Sequence, residues 1–250
     1  MSPAQLAAKI RHYPDVLLMC DYDGTLVPLT PRPDLARPDA HLLTLLQQLA
    51  SRPRFHLAVI SGRSLKELQE LLPVAGLYLA GMHGTEIATP ERQVINLLPY
   101  RKEDIPWQDI FRLARQVTAG IPGFLVENKG EAIALHYRLA DPGPAGIALK
   151  QFSRAIDPFL NKVELLPGHK VLEVRRRGVN KGLAVTYFIS KWPRAYPIYL
   201  GDDRTDEDAF AALPPGGLAI RVGNWTPCNN CYFLPSPVEV SQFLQQLISG

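Results

Sequence analysis

Short apolar runs alternate along this chain with segments in which apolar residues recur at helical spacing. Four of the runs are predicted strands that end at polar or glycine-containing clusters: residues 16–20, 55–60, 77–80 and 197–200. Helical patterning lies between them: residues 64–67 form a capping box, and residues 39–50 place four leucines on one face, Leu42, Leu43, Leu46 and Leu49. Buried strands interleaved with helices are typical of a doubly wound, mainly parallel α/β sheet.

The pattern changes between residues 100 and 168, where we interpret the chain as an inserted, smaller α+β module. Its predicted elements are helix 107–119, strands 123–127 and 132–137, helix 147–160 and strand 163–166. The α/β pattern then returns with strand 169–174, helix 181–190, a strand ending at Asp202, a helix from Asp206, strand 218–222 and helix 238–248. The predicted domains are therefore a core of residues 1–100 and 168–250 and a cap of residues 101–167.

Composition limits the classes of partner. The 250 residues are 46% hydrophobic, which suffices for a sizeable core in one large or two small domains. With 27 basic and 24 acidic residues the net charge is +3, so we predict neither a nucleic-acid nor a membrane partner. The three cysteines are few and odd in number, which does not fit the disulfide framework of a secreted protein. The N-terminus also lacks a signal-peptide pattern, so a cytoplasmic location is expected.

Two aspartates, Asp21 and Asp23, directly follow the first predicted strand, in the segment Asp-Tyr-Asp-Gly-Thr. Two carboxylates this close at a strand end are costly unless a cation neutralises them. Mg²⁺ is a hard cation that takes a few carboxylate oxygens together with water and substrate phosphate. We therefore predict a Mg²⁺ site here. The alternative is an Asp-Gly turn whose aspartates cap backbone amides.

A second acidic cluster begins at Asp202 and Asp203, again directly after an apolar strand. Because parallel strands end at the same edge of a sheet, Asp202 is predicted to lie beside Asp21. Glu207 and Asp208, further along, fit a solvated helix N-terminus, where the helix dipole favours acidic residues.

Two further positions suit a phosphate group. Ser61, Gly62 and Arg63 offer a hydroxyl, a close backbone approach and a guanidinium at a strand-to-helix turn, where free amides favour anions. Lys181 follows Asn180, a candidate helix cap, and a cation at a helix start is unfavourable unless an anion also binds there. The alternatives are a Ser61 that only begins the turn and a Lys181 on the surface.

These segments resemble the four motifs of the haloacid dehalogenase superfamily of phosphatases. The matching strings are Asp21-Tyr-Asp-Gly-Thr, Ser61-Gly-Arg, Asn180-Lys-Gly and Gly201-Asp-Asp. More specific strings are similar to the trehalose-6-phosphate phosphatases: Gly81-Met-His-Gly-Thr-Glu86, Val126-Glu-Asn-Lys129, Leu135-His-Tyr-Arg138, Lys170-Val-Leu-Glu-Val174 and the segment from Gly201 to Phe210. The resemblance runs from about residue 15 to residue 222.

The resemblance implies roles for the acidic residues. Asp21 would be the nucleophile that forms an aspartyl-phosphate, and Asp23 would protonate the leaving sugar oxygen and then activate water. Mg²⁺ would be held by Asp21, the backbone carbonyl of Asp23 and Asp202. Asp203 and Asp206 would support these ligands from behind, and a direct metal contact is the alternative for Asp206.

The resemblance also implies ligands for the phosphate and the sugar. Phosphate would be held by Ser61, Gly62 and Lys181, and Arg63 is predicted to bind substrate. The inserted module would be a cap that closes over the site and reads the sugar. Its hydroxyl ligands would be Glu127, Lys129 and Arg138, with Glu173 on the returning strand.

The alternative for each cap residue is a surface ion pair. No role follows for His83 or Glu86, and His136 is expected simply to face the other side of its strand from Leu135. Cys228 and Cys231 have metal-ligand spacing without a second pair, so zinc is not predicted; a redox pair and two unrelated thiols both stay open.

The resulting prediction is a monomeric Mg²⁺-dependent phosphatase that hydrolyses trehalose 6-phosphate, a small phosphosugar, in the last step of trehalose biosynthesis. A trehalose-phosphate synthase is the candidate protein partner. The alternatives are a phosphatase for another phosphosugar (sucrose phosphate, or mannosyl- or glucosyl-phosphoglycerate) and a non-catalytic phosphosugar-binding regulator. An intact acid at Asp23 argues against the regulator, because binding alone needs no acid/base there.

Overall fold

The structure is a computed structural model that describes residues 2–98, 105–168, 170–223 and 231–249. The chain forms two compact units. The first consists of Met1–Leu98 and Asn180–Gly250, and the second of Pro99–Val179.

The described helices and strands follow the predicted alternation closely. The strands are β1 (Val16–Cys20), β2 (Phe55–Ile60), β3 (Tyr78–Gly81), β4 (Glu86–Ala88), β5 (Val94–Asn96), β6 (Leu125–Asn128), β7 (Ala132–His136), β8 (Val163–Gly168), β9 (Val171–Arg176), β10 (Tyr196–Gly201), β11 (Leu218–Val222) and β12 (Cys231–Leu234). The helices are α1 (Pro3–Ile10), α2 (Ala40–Ala50), α3 (Leu65–Leu71), α4 (Trp107–Thr118), α5 (Pro142–Ala155), α6 (Lys181–Lys191), α7 (Glu207–Ala211) and α8 (Pro237–Ile248).

The first unit is built on an eight-stranded sheet in the order β12-β11-β10-β1-β2-β3-β4-β5. Neighbouring strands from β12 to β3 run parallel, and β4 and β5 add an antiparallel edge. This architecture confirms the predicted doubly wound, mainly parallel α/β core.

Helices cover both faces of this sheet, which explains the unbroken apolar strands. All five residues of β1 are buried. Leu18 and Cys20 pack in the cluster that contains the apolar faces of α1, α2 and α8, whereas Leu17 and Met19 pack in the cluster that contains α6. Because successive side chains of a strand point to opposite faces, a strand covered on both sides needs apolar residues at every position.

The second unit has a four-stranded antiparallel sheet in the order β6-β7-β9-β8. Residues from α4 and α5 form one apolar core with alternate residues of the strands, among them Ile133, Leu135 and Val174. The prediction for strand 169–174 is therefore corrected. Residues 171–176 pair with β7 and β8 in this sheet and not in the eight-stranded one, and alternating burial cannot tell these two sheets apart.

Helix α5 begins at Pro142, five residues before the predicted start. Proline is well tolerated in a first helical turn, where its missing N–H has no helical partner, so Pro142 can begin the helix. Asp141 caps the helix by accepting a hydrogen bond from the Gly143 N–H at 2.8 Å. Strands β4, β5 and β12 were not predicted; β4 and β5 have three residues each, which are too few to show a period.

The cysteines occupy different environments. Cys20 is a free thiol within β1, and burial together with the nearby Asp21 raises its pKa well above the ordinary value. Cys231 is disulfide-bonded, and Cys228 lies outside the described residues.

Among the described residues, no helix is both long and apolar enough to cross a lipid bilayer.

The α5 helix offers a test of the second unit's core. Phe152 is fully buried, whereas Ile147 on the same helix is 62% exposed. We expect Phe152→Ala to lower the free energy of unfolding by about 3–5 kcal/mol, because it removes buried area and leaves a cavity. Ile147→Ala should change it by less than about 0.5 kcal/mol. Urea denaturation followed by circular dichroism measures both, and equal losses would contradict the assigned core.

Candidate active site

Three sheet strands bring the predicted site residues to one edge. Strand β1 lies between β10 and β2, with Cys20 aligned with Leu200 on one side and with Val59 on the other. One residue after the end of β1, the Asp21 N–H still donates a hydrogen bond to the Leu200 carbonyl of β10 at 2.9 Å. The segments that carry Asp21, Ser61 and Asp202 therefore leave the sheet side by side, as predicted for parallel strands.

The side chain of Lys181 is buried at the centre of this edge. Its ammonium donates to Asp21 Oδ1 at 2.6 Å and to Asp206 Oδ1 at 2.7 Å. Burial opposes the charged form of the lysine, but Asp206 and Asp21 outweigh it and raise its pKa. As the first residue of α6, Lys181 faces an unfavourable helix dipole that the two carboxylates offset. The alternative of a surface lysine is wrong.

Asp206 is fully buried, and both of its oxygens accept hydrogen bonds. Oδ1 accepts from Lys181 and from the Tyr199 hydroxyl at 2.7 Å, and Oδ2 accepts from the backbone N–H groups of Asp202 and Asp203 at 3.0 Å each. This carboxylate fixes the Lys181 ammonium and the backbone that carries Asp202, as expected of a supporting residue. This role of Tyr199 was not predicted, because in the sequence Tyr199 is one more apolar residue of a buried strand.

Close packing explains two glycines of the motifs. A Cβ on Gly24 would lie 2.0 Å from Asp202 Oδ2, and Gly24 has a φ of +85°, in the region that favours glycine. A Cβ on Gly201 would lie 2.4 Å from the Asp206 carboxyl carbon. Both glycines allow the backbone to pass directly beside a carboxylate.

The carboxylates of Asp21, Asp202 and Asp206 fit a hard divalent cation. Each offers one oxygen, and these oxygens all lie within 4.8 Å of one another. Burial, opposed by Lys181, raises the pKa of Asp21 to about 7, and burial with the neighbouring carboxylates raises the pKa of Asp202 to about 10. Both shifts mean that the ionised carboxylates are disfavoured, first by burial and then by one another, and a cation with a preference for oxygen ligands would favour the ionised forms.

Asp23 and Arg63 form a bidentate ion pair. The Arg63 Nε and Nη2 groups donate to the two Asp23 oxygens at 2.7 Å each, and Nη2 also donates to the Pro33 carbonyl at 2.7 Å. The Arg63 side chain is 8% exposed. Arg63 was predicted to bind substrate. In this structure it instead binds Asp23, the residue predicted to act as acid/base.

The turn that carries Ser61 and Gly62 is held by a second, left-handed turn. Met82, His83 and Gly84 have φ values of 49°, 57° and 92°. The His83 N–H donates to the Ser61 carbonyl at 3.0 Å, and its ring lies so close to Gly62 that a Cβ there would meet His83 Cε1 at 2.7 Å. Ser61 is buried, and its hydroxyl accepts from the Arg63 N–H at 3.2 Å.

Asp203 caps the 3₁₀ turn Arg204–Asp206 by accepting from the Arg204 N–H. The supporting role predicted for Asp203 stays a prediction. The 3₁₀ turn also delays the predicted helix from Asp206, which begins as α7 at Glu207.

The predicted sugar ligands all belong to the second unit. Lys129 donates to Glu173 at 3.4 Å, and Glu127 lies 2.9 Å from the His136 ring nitrogen Nε2. Arg138 is partly buried two residues beyond the end of β7. Burial opposes ionisation of Glu127, but the hydrogen bond from His136 and the charge of Lys129 lower its pKa.

The raised carboxylate pKa values predict that higher pH lowers the free energy of unfolding and that a bound metal raises it. Asp202 and Asp21, with pKa values of about 10 and about 7, hold protons in the folded protein that the unfolded chain releases above about pH 4. The free energy of unfolding without metal should therefore fall as pH rises, by about 1.4 kcal/mol per pH unit for each proton held only by the folded state.

Mg²⁺ should reverse this loss, and more so at higher pH, because its ligands bind deprotonated. Melting temperatures with a chelator and with Mg²⁺, near pH 6 and near pH 8, measure the effect. Asp202→Asn is the matched variant, since it cannot ionise and should lose most of the Mg²⁺ response. Equal melting temperatures with and without Mg²⁺ at both pH values would contradict the metal site.

Known proteins resemble this chain along most of its length. The sequence model described as trehalose-phosphatase matches residues 19–235. Trehalose-phosphate phosphatase B of Arabidopsis thaliana is 31% identical over 252 residues, which cover 93% of this chain and 66% of that protein. Trehalose-6-phosphate phosphatase of Escherichia coli K12 is 36% identical over 208 residues, which cover 81% of this chain and 76% of that protein.

A solved structure agrees with these sequence relatives. The C-terminal domain of Candida albicans trehalose-6-phosphate phosphatase superposes with a TM-score of 0.88 at 25% identity, and covers 100% of this chain and 97% of that one. The chain thus spans just under two thirds of the Arabidopsis relative and nearly all of the Candida domain. It belongs to the trehalose-phosphatase family, which confirms the resemblance seen in its motifs.

Proposed function

We propose that this chain is a Mg²⁺-dependent phosphatase that hydrolyses trehalose 6-phosphate to trehalose and phosphate. The observation that carries the proposal is that Asp21 and Asp23, two residues apart, have different hydrogen-bond partners. Lys181 binds one oxygen of Asp21, whereas Arg63 binds both oxygens of Asp23. A nucleophile and an acid/base need such separate environments, and a binding protein needs neither.

Asp21 is the nucleophile in this proposal. Lys181 hydrogen-bonds its Oδ1, so Oδ2 is the oxygen that attacks phosphorus. The new Asp21 oxygen–phosphorus bond replaces the bond between phosphorus and the sugar oxygen, and the sugar leaves. Water then attacks phosphorus, and the Asp21 carboxylate is released together with inorganic phosphate.

Asp23 transfers the protons of both steps. It gives a proton to the leaving sugar oxygen in the first step and takes one from the attacking water in the second. Both of its oxygens accept hydrogen bonds from Arg63, so one of these bonds must break before a proton is delivered. Arg63 therefore acts in the proposal as a positioning residue, which is a change from the substrate contact predicted for it.

The remaining core residues hold the phosphate and the metal. The Ser61 hydroxyl, the Gly62 N–H and the Lys181 ammonium would bind phosphate oxygens at the strand ends. Asp21, Asp202 and the backbone carbonyl of Asp23 would hold Mg²⁺, with Asp203 and Asp206 behind them. When bound, Mg²⁺ would offset the charge between the nucleophile and the anionic phosphate.

The second unit supplies the specificity in this proposal. Glu127, Lys129, Arg138 and Glu173 would hydrogen-bond sugar hydroxyls, because charged groups orient a polyol that apolar walls cannot orient. In this proposal the first unit is the catalytic core and the second is the cap, which extends to Val179 and so includes residues 168–179 of the predicted core. A monomer in the cytoplasm, with a trehalose-phosphate synthase as its candidate partner, belongs to the same proposal.

Phosphate release from a panel of substrates tests the reaction and the substrate separately. The panel contains trehalose 6-phosphate, glucose 6-phosphate, sucrose phosphate and mannosyl-phosphoglycerate, each with Mg²⁺ and with a chelator. We expect Mg²⁺-dependent turnover with the highest kcat/KM for trehalose 6-phosphate. A higher value for another sugar would overturn the substrate and leave the reaction class standing, and no turnover of any substrate would favour a binding protein.

Asp21→Asn should lower kcat for trehalose 6-phosphate by roughly 10⁴-fold or more, since an amide oxygen is a poor nucleophile. Asp208→Asn, a nearby acidic residue of α7 without an assigned role, is the control and should retain turnover. Steady-state phosphate release measures both variants. Near-normal turnover by Asp21→Asn would exclude a covalent intermediate on this residue.

Arg63→Lys distinguishes the observed contact from the predicted one. Lysine keeps the charge but cannot bind both oxygens of Asp23, and misplacing a catalytic group costs about 10²-fold. We expect kcat to fall by about that factor with little change in KM. A raised KM at unchanged kcat would show instead that Arg63 binds the substrate, as the sequence had predicted. Thermal unfolding of the variant checks that the fold is intact.

A further inference from the structure

The four-stranded sheet of the second unit has one face that does not take part in its apolar core. Val126, Ile133, Leu135 and Val174 point into that core, together with α4 and α5. Alternation along the strands therefore places their sequence neighbours on the opposite face. Leu125, Glu127, Ala134, His136 and Glu173 are among the residues on this opposite face.

The register brings three of these residues into one row. Glu127 on β6 pairs with Ala134 on β7, and Ala134 pairs with Glu173 on β9. His136 pairs with Leu125 on β6, one step along the same face. His136 is thus the diagonal neighbour of Glu127, within reach of a long side chain.

Two charged pairs flank the small side chain of Ala134. On the β9 side the Lys129 ammonium lies 3.4 Å from Glu173, and on the β6 side the His136 ring lies 2.9 Å from Glu127 Oε2. The side chains of His136 and Glu127 are 21% and 26% exposed, so this pair is largely removed from water. Each carboxylate has one oxygen within hydrogen-bond distance of a nitrogen donor from the same unit.

We propose that His136 is a positioning residue for sugar recognition, which holds Glu127 in place just as Lys129 holds Glu173. The proposal rests on the proposed function, because it takes Glu127 as a ligand of the sugar hydroxyls. The His136 Nε2–H donates to Oε2 of Glu127, and Oε1 stays available to accept from a hydroxyl. The resemblance to the family left His136 without a role.

The chemistry of the pair fixes the hydrogen that lies between the two groups. An ionised carboxylate can only accept, so the ring must carry its proton on Nε2. A glutamate side chain has three rotatable bonds, and holding it in one arrangement before the sugar binds removes an entropic cost of binding. His136→Ala should therefore weaken binding of the sugar and leave the chemistry at phosphorus unchanged.

The test compares trehalose 6-phosphate with p-nitrophenyl phosphate, which has no sugar hydroxyls. His136→Ala should lower kcat/KM for trehalose 6-phosphate about tenfold through KM, the size expected for one hydrogen bond to a charged group, and leave p-nitrophenyl phosphate unchanged. His136→Gln should recover most of the loss, because its side-chain amide also donates. Arg112→Gln, which breaks an exposed pair with Asp109 on α4, is the control and should change neither substrate.

Glu127→Ala separates a failure of this inference from a failure of the proposed function. If Glu127→Ala lowers kcat/KM for trehalose 6-phosphate alone, the sugar site stands. His136→Ala must then do the same, and the double variant must lose no more than Glu127→Ala does. Normal kinetics of His136→Ala would overturn the positioning role alone.

Normal kinetics of Glu127→Ala would overturn the sugar site and the positioning role together. Equal losses on both substrates in His136→Ala and His136→Gln, with lowered melting temperatures, would show that His136 only supports the fold. In that case the positioning role is also overturned.

Discussion

The buried ammonium group of Lys181 bonds to Asp21 and Asp206, and the rest of the active site is arranged around this contact. Two carboxylates buried at the end of a strand destabilise the fold unless a cation lies between them. Removing one partner of a buried ion pair costs several kcal/mol of the free energy of unfolding. Lys181 supplies that cation from the start of α6. Asp206 in turn binds the backbone of the loop that carries Asp202, so the lysine connects Asp21 to the second acidic cluster.

Of the described residues, Lys181 supplies the one ammonium group bonded to Asp21 and Asp206, and a third carboxylate, Asp202, lies beside them. The oxygens of Asp21, Asp202 and Asp206 lie within 4.8 Å of one another, and burial raises the pKa of Asp202. A divalent cation or an added proton relieves the excess. The arrangement suits a protein that binds a metal and an anionic phosphate at the same edge, while the second carboxylate of the motif, Asp23, is held apart on Arg63.

Much of this could be predicted from sequence, because the decisive signals are local. Apolar runs that end in acidic residues identified the parallel sheet and the neighbouring positions of Asp21 and Asp202. Side-chain pairing was not predictable. The contact between Arg63 and Asp23 joins residues 40 positions apart, and β9 joined the smaller sheet although its apolar pattern fits either one. Tyr199 and His136 were missed for a similar reason, since each becomes a hydrogen-bond partner only after the strands align.

In the proposed reaction, the carboxylate held by Lys181 carries the phosphoryl group during turnover. Rapid acid quenching with trehalose 6-phosphate and Mg²⁺, followed by peptide mass spectrometry, tests it directly. We expect a phosphoryl group on the peptide that contains Asp21, at a level that falls as substrate is exhausted, and none in Asp21→Asn. An active enzyme that carries the phosphoryl group on another residue would contradict it.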